Sequence, residues 1–119
     1  MCGIIAYIGK KQACQIILDG LRLLQYRGHD SFGLAVCDKN DKIQIAKTVG
    51  RLKDLQIITH DSIFEQAHCG IGHVRWATNG APNYENAHPH ASDNHSVVGV
   101  HNGIIDNYKD QKIELQRKK

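Results

Sequence analysis

Cysteine stands at the second position, behind Met1 and before Gly3. It is small enough to permit removal of Met1, after which one residue would carry both a thiol and a free α-amino group. With ordinary pKa values of about 8.5 and about 7.7 to 8.0, that pair is a nucleophile beside its own general base. A glycine at position 3 would let a substrate approach the backbone closely. A second group of interest is His73-Val74-Arg75-Trp76-Ala77-Thr78, where an arginine leaves an apolar stretch beside the only tryptophan. Its fork of donors needs a partner. A carboxylate ligand gripped bidentately would supply one, and so would a structural Arg–Asp pair with Trp76 as core filler. The third group is His101-Asn102-Gly103. An Asn amide and the following backbone N–H can both aim at one developing oxyanion, yet Asn-Gly is equally the strongest short signal for a hairpin turn.

Other chemistries compete less well. Eight histidines are many for 119 residues, and His88-Pro89-His90 with His95, joined by His73 or His101, could offer imidazoles to a metal. No carboxylate or cysteine lies at zinc-like spacing with them, so no metal is expected. Glycine-rich phosphate loops are absent, and no cofactor is called for. Cys2, Cys14, Cys37 and Cys69 are far apart with no C-x-x-C pair, which fits reduced thiols in a cytoplasmic protein. The last three of them sit among apolar neighbours, where free cysteine behaves as a small core hydrophobe. The formal charge is only +3, and Arg117-Lys118-Lys119 reads as a solvated helix tail, so neither nucleic acid nor a membrane is an expected partner. No secretory signal opens the chain, and no apolar run nears the roughly 18 to 20 residues that span a bilayer.

The elements that must position these residues alternate in period. At 41% apolar and 23% charged, the chain suits one modest globular domain. Cys2 to Ile8 is continuously apolar and reads as a buried strand closed by Gly9. From Gln12 to Tyr26 the period changes, with Ile17, Leu21 and Leu24 on one helical face that stops near Gly28. Phe32–Cys37 and Ile43–Val49 flank the polar cluster Asp38-Lys39-Asn40-Asp41, predicting a hairpin. A short amphipathic piece runs through Ile58. Cys69–Trp76 and Ser96–His101 read as buried strands, and the Asn-, His- and Pro-rich stretch 77–95 between them as a functional loop or a disordered one. Asp106 to Lys119 reads as a charged helix with Asp106 or Asn107 as N-cap.

Taken together, Met1-Cys2-Gly3-Ile4, Tyr26-Arg27-Gly28-His29-Asp30-Ser31, Gly72 to Thr78, Asn86-Ala87-His88-Pro89-His90 and His101 to Tyr108 occur in an order that resembles class II, N-terminal-nucleophile glutamine amidotransferases. Within that family the likeness is to the branch that aminates fructose 6-phosphate to glucosamine 6-phosphate. The amidophosphoribosyltransferase branch is similar at Cys2 and Asn102-Gly103 but less so in the other blocks. The resemblance implies an α+β fold, the αββα sandwich of N-terminal nucleophile hydrolases, incomplete here. Residues 1–119 would form the N-terminal part of a type 2 amidotransferase domain, without sugar isomerase domains. It further implies Cys2 as nucleophile, Asn102 and Gly103 as oxyanion donors, and Arg75, helped by Thr78, on the glutamine α-carboxylate. Trp76 and His88 would shape the pocket.

Two positions depart from the family pattern: Asn79 stands where histidine is usual and His29 where tyrosine is usual. Missing too is the aspartate that the family uses for the glutamine α-amino group. Two readings follow. In the first, the chain is a glutaminase acting on L-glutamine, with a separate sugar isomerase subunit or the missing half of its domain as partner. In the second, it is a catalytically incompetent remnant with an interaction role. A small histidine-rich metal binder is a third. Either of the first two leaves sheet edges and an inner face uncovered and predicts marginal stability for the isolated chain.

Overall fold

The computed structural model describes all 119 residues. Its centre is one antiparallel sheet of four strands: β1 (Gly3–Ile8), β2 (Ser31–Cys37), β3 (Ile43–Val49) and β4 (Cys69–Arg75), in the spatial order β1-β4-β2-β3. Two helices, α1 (Ala13–Leu24) and α2 (Leu52–Ile58), belong to one side. A further two-residue pairing joins β5 (His90–Ala91) to β6 (Val98–Gly99), and α3 (Tyr108–Arg117) follows.

Helix α1 forms where the apolar period is 3.6. Cys14, Ile17, Leu18 and Leu21 fall on one stripe and are all buried. Because strand side chains alternate, the same sheet face receives Phe32, Leu34 and Val36 from β2, Ala46 from β3 and Val74 from β4, and these pack with the α1 stripe, Leu52 and Leu55 into one core. Gly70 and Gly72 on β4 face α1. A Cβ there would lie 2.8 Å and 2.5 Å from Ile17 side-chain atoms, so two glycines let the helix sit down on the sheet. The expected hairpin is present: β2 pairs with β3 from Ser31↔Val49 to Cys37↔Ile43. Its turn is held by the Asp38 carboxylate, whose Oδ1 accepts from Asn40 N at 2.7 Å and Lys42 N at 3.0 Å.

Several expectations need correction. β1 is not buried on both faces: Ile5 and Tyr7 pack on the core, while Ile4, Ala6 and Ile8 point away and Ile8 is 85% exposed. A continuous apolar run signals two apolar faces, and only one is covered here. With Ala35, Ile43 and Ile71, that second face forms an open groove of about 450 Å³. Cys14 is a core residue, but Cys37 and Cys69 line this groove and are only half-buried. Ser96–His101 does not form a buried strand. Only Val98–Gly99 pairs, because its sole partner is the two-residue β5, and a strand extends no further than its partner's free N–H and C=O groups. Gly3 does not face a substrate site; a Cβ on it would meet Val74 Cγ1 at 2.9 Å and Leu24 Cβ at 3.2 Å. Asn107 takes the N-cap position of α3 without a capping side-chain bond, and every α3 residue is exposed.

Residues 77–95, apart from the two of β5, form a loop that crosses one end of the open face. Gly33 on β2 makes the crossing possible, since a Cβ there would lie 1.9 Å from the His88 carbonyl oxygen. Lys47 Nζ, from β3, donates to the Ala87 carbonyl at 3.0 Å and lies 4.7 Å from the Tyr84 ring centroid. Gly33→Ala should therefore cost about 1 to 3 kcal/mol in urea unfolding, because the clash is with backbone. Gly20→Ala should cost less than Gly33→Ala: its new methyl meets the Ile5 side chain, chiefly its Cδ1 end, rather than backbone, and alanine favours the helix by about 1 kcal/mol. Equal losses in the two variants would refute this account of the crossing.

Candidate active site

Four chain segments meet at the top of the sheet. The antiparallel register Gly3↔Val74 brings the residue before β1 beside the residues ending β4. Cys2 Sγ accepts from Trp76 N at 3.3 Å and lies 3.7 Å from the Trp76 carbonyl oxygen. Arg27, in the 3₁₀ turn after α1, donates from Nε to the Cys2 carbonyl at 3.1 Å. Asp30 closes the corner. Its N–H donates to the Arg75 carbonyl at 3.1 Å and its carboxylate accepts from Ala77 N. Gly28 is required for closeness rather than for strain: it is extended, and a Cβ would lie 2.6 Å from Arg75 O. Met1 itself is 73% exposed and reaches into solvent.

Arg75 is only 7% exposed. Its guanidinium donates from Nη1 to Ala81 O at 2.9 Å and from Nη2 to Asn79 O at 2.7 Å and Gly80 O at 3.4 Å. Those carbonyls bend the 79–81 turn around the cation, and Gly80 sits at φ +80 to allow it. The ion pairs of the chain are Arg22–Asp19, Arg51–Asp54 and Lys118–Glu114, all on the surface. The structural Arg–Asp pair considered from sequence is thus not formed. Trp76 is not core filler either; it is 46% exposed and its ring lies 5.5 Å from that of His29.

Beside the arginine, three histidine rings cluster. The His73 and His88 rings lie 4.3 Å apart at 25°, and His88 meets His90 edge-on at 4.5 Å. His73, on β4, places Nε2 2.8 Å from Asn102 Oδ1, and His101 N donates to His88 Nδ1 at 3.3 Å. Burial pushes His88 down to about 3, helped by the neighbouring His73, His90, Arg75 and His101. Burial likewise lowers His73, more than its bond to Asn102 raises it, and lowers His90, aided by Lys47 and Arg75. The stacked His73 and His88 turn their faces, not their lone pairs, to one another. No three His, Cys, Asp or Glu side chains gather as a metal site would require. Asn102-Gly103 closes no hairpin, for no strand follows; Gly103 has φ +115 and the chain passes on toward α3.

One cavity of about 240 Å³ results. Cys2, Arg75, Trp76, Thr78, His88 and Gly103 all line it, with Ile104, Ile105 and Tyr108 as an apolar wall. Asn102, the remaining expected residue, is exposed and not among the lining residues, though both its chain neighbours are; its side-chain oxygen lies 2.8 Å from His73 Nε2. The lining contains a guanidinium and no carboxylate. Sequence reasoning left out Arg27, Asp30 and His73 as site residues. Arg27 and Asp30 lay in a quoted block, and His73 precedes Arg75 by two, hence on the same strand face.

The histidine stack makes stability depend on acid. These rings are neutral when folded and held below their ordinary value, so the unfolded chain binds more protons as pH falls below about 6.5. Stability is full above that pH and is expected to fall progressively toward pH 3, the window set by His88. Urea midpoints measured from pH 7 to pH 4 should decline less steeply in His88→Phe than in the unaltered protein. Parallel declines would exclude the stack as the cause.

Comparison with known proteins agrees with this geometry. No protein-family profile matches the chain. Glutamine–fructose-6-phosphate aminotransferase (isomerizing) of Staphylococcus aureus strain Mu50 is 47% identical over 114 residues, covering 96% of this chain and 19% of that protein. The enzyme of the same name from Staphylococcus epidermidis strain ATCC 35984 gives the same figures. The chain therefore spans about a fifth of the length of these relatives. Among solved structures, the glutamine phosphoribosylpyrophosphate amidotransferase of Bacillus subtilis, complexed with ADP and GMP, superposes with a TM-score of 0.77 at 28% identity, covering 99% of this chain and 25% of that one. A structure described as the allosteric regulatory enzyme of purine biosynthesis gives 0.79 at 29%, with the same coverage. The four-stranded sheet with helices on one face is thus part of an N-terminal nucleophile hydrolase sandwich, and the chain belongs to the class II glutamine amidotransferases, corresponding to their N-terminal region.

Proposed function

We propose that this chain carries the glutaminase half-reaction of an amidotransferase, releasing ammonia from L-glutamine for transfer to fructose 6-phosphate. The observation that supports it most is a buried guanidinium with no protein carboxylate, sharing one cavity with Cys2 and Gly103. A ligand with a carboxylate at one end and a carbonyl near the thiol satisfies both ends. Removal of the exposed Met1 would free the Cys2 α-amine, which takes the thiol proton. The thiolate then adds to the amide carbon, and the oxyanion accepts from Asn102 Nδ2 and Gly103 N. The amine returns its proton to the leaving nitrogen, so ammonia departs and a γ-glutamyl thioester remains. Water, deprotonated by the same amine, hydrolyses it to glutamate. Thr78 and Trp76 would flank the ligand, and His88, neutral at pH 7, would shape the pocket without adding a second positive charge.

Amination of fructose 6-phosphate needs a sugar-isomerising unit, on a partner subunit or in a longer form of this protein. The four free cysteines support a reducing, cytoplasmic setting. Glutamine hydrolysis by the purified protein should disappear in Cys2→Ala, with intact-mass measurement showing loss of Met1 in both forms. Unchanged turnover in Cys2→Ala, or a protein that processes Met1 and never releases ammonia, would refute the proposal.

The charge of the cavity makes a further prediction. Glutamine brings an α-ammonium as well as a carboxylate, and an unpaired buried cation costs several kcal/mol. Glutaramate keeps the carboxylate and the amide but drops the ammonium. It should bind this chain at least as tightly as glutamine does, measured by calorimetry. A tenfold or greater preference for glutamine would mean that a carboxylate reaches the site.

A further inference from the structure

We propose that His73 is a positioning residue whose Nε2–H holds the Asn102 carboxamide by its oxygen and so turns the Asn102 NH2 group toward the cavity. The inference rests on the reading above, in which Asn102 supplies one donor to the oxyanion, and explains what fixes that donor's direction.

A carboxamide can present either end, and nothing in Asn102 itself chooses between them. The choice is made by His73, which is 1% exposed on β4 with Nε2 2.8 Å from Oδ1. Carboxamide oxygen only accepts, so Nε2 must carry the proton. The opposite arrangement, with the NH2 group donating to a bare Nε2, would move the ring proton to Nδ1. That atom is buried with no hydrogen-bond partner. An unpaired buried N–H costs more than an unpaired lone pair, and orphaned buried N–H groups are rare. The lone pair of Nδ1 is the cheaper atom to strand, so the tautomer and the amide orientation select one another. Burial also keeps the ring neutral at pH 7, where only one nitrogen can donate.

The ring has little freedom. It stacks on His88 at 4.3 Å, and His88 Nδ1 in turn accepts from the His101 backbone N–H at 3.3 Å. One histidine therefore holds the side chain of Asn102 while its stacking partner holds the backbone one residue earlier. Both brackets are carried by segments fixed elsewhere: β4 is an interior strand, and the His88 carbonyl lies against Gly33. His73 and Arg75 lie two apart on one strand face, so β4 positions both the carboxylate clamp and the oxyanion donor.

The test combines tautomer measurement with a variant pair. Nitrogen-15 NMR of the unaltered protein, with His73 assigned by comparison with His73→Gln, should show an Nε2–H tautomer from pH 7 to 8. An Nδ1–H tautomer, or an imidazolium titrating near pH 6.5, overturns the proposal whether or not the protein turns over. His73→Phe keeps the stack but has no donor. It should lower kcat by about a hundred- to a thousandfold, as loss of an oxyanion donor does, with KM within threefold. His73→Gln, whose amide N–H2 can reach the same oxygen, should recover activity to within tenfold, and His73→Phe combined with Asn102→Ala should be no slower than Asn102→Ala alone. Equal losses in the Phe and Gln variants, or additive losses in the double variant, overturn the positioning role. Full activity in Asn102→Ala would instead sink the oxyanion reading and leave the tautomer assignment standing.

Discussion

The register between β1 and β4 is the constraint from which the rest of this site follows. Pairing Gly3 with Val74 places the residue before the first strand against the peptide that follows the fourth. Side chains alternate along a strand, so a slip of β1 by one residue would carry Cys2 to the helix-covered face, away from Arg75, which β2 holds in place on β4. The register is secured from both sides. On the core face, Gly3 leaves room for Val74 and Leu24, and Gly20 for Ile5. Beyond the strand ends, Arg27 grips the Cys2 carbonyl and Trp76 N–H meets the sulfur. Helix packing and polar contacts therefore agree on one alignment.

The same alignment leaves Arg75 nearly dry. A guanidinium at that depth must find acceptors, and the chain supplies three backbone carbonyls from residues 79–81 in place of a carboxylate. Carbonyl dipoles satisfy donors but do not cancel the charge. The remaining field is positive, and it falls on His73, His88 and His90, each held below its ordinary protonation range by burial with Arg75 contributing. Neutral imidazoles can stack and accept from backbone N–H groups where imidazolium ions would repel. The cation and the histidine cluster are compatible for one reason: burial, aided by the charge, keeps the rings neutral, and neutral rings do not add to it.

Elements whose determinants are local were legible in the sequence. Ile17 and Leu21 mark α1 by period alone, and Asp38 marks the β2–β3 turn because its carboxylate binds backbone two and four residues onward. Elements that depend on a distant partner were not. The run from Ser96 to His101 has the composition of a strand, but strand formation needs an opposing backbone, which β5 offers for two residues only. Gly3 looked like a concession to substrate and is a concession to Val74, a contact across 71 positions that no local pattern reveals. In the site, the motif blocks pointed to Cys2, Arg75, Trp76, Thr78, His88 and Gly103, which share a cavity. The side-chain bond from His73 to Asn102 could not be read, because hydrogen-bond direction depends on which nitrogen is buried without a partner.

The open sheet face separates two kinds of surface along the same strands. Toward the ends of β2 and β4 that meet Cys2, the face carries Gly33, His73 and Arg75 and is crossed by the loop through His88. Toward the other ends it carries Ala35, Cys37, Cys69 and Ile71, which with Ile8 and Ile43 leave an apolar groove in contact with solvent. Most polar groups at the first end find partners there, through His73–Asn102, His88–His101 and the carbonyls around Arg75, leaving Ser31 Oγ and His73 Nδ1 as the buried atoms without one. The apolar end has no such recourse, since only exclusion of water stabilises it. The cost of exposed apolar surface on this face therefore falls on residues remote from Cys2. Local opening should accordingly begin around Ile8, Ile43 and Cys69, where amide hydrogen exchange should be faster than at His73 and Arg75 on the interior strand β4.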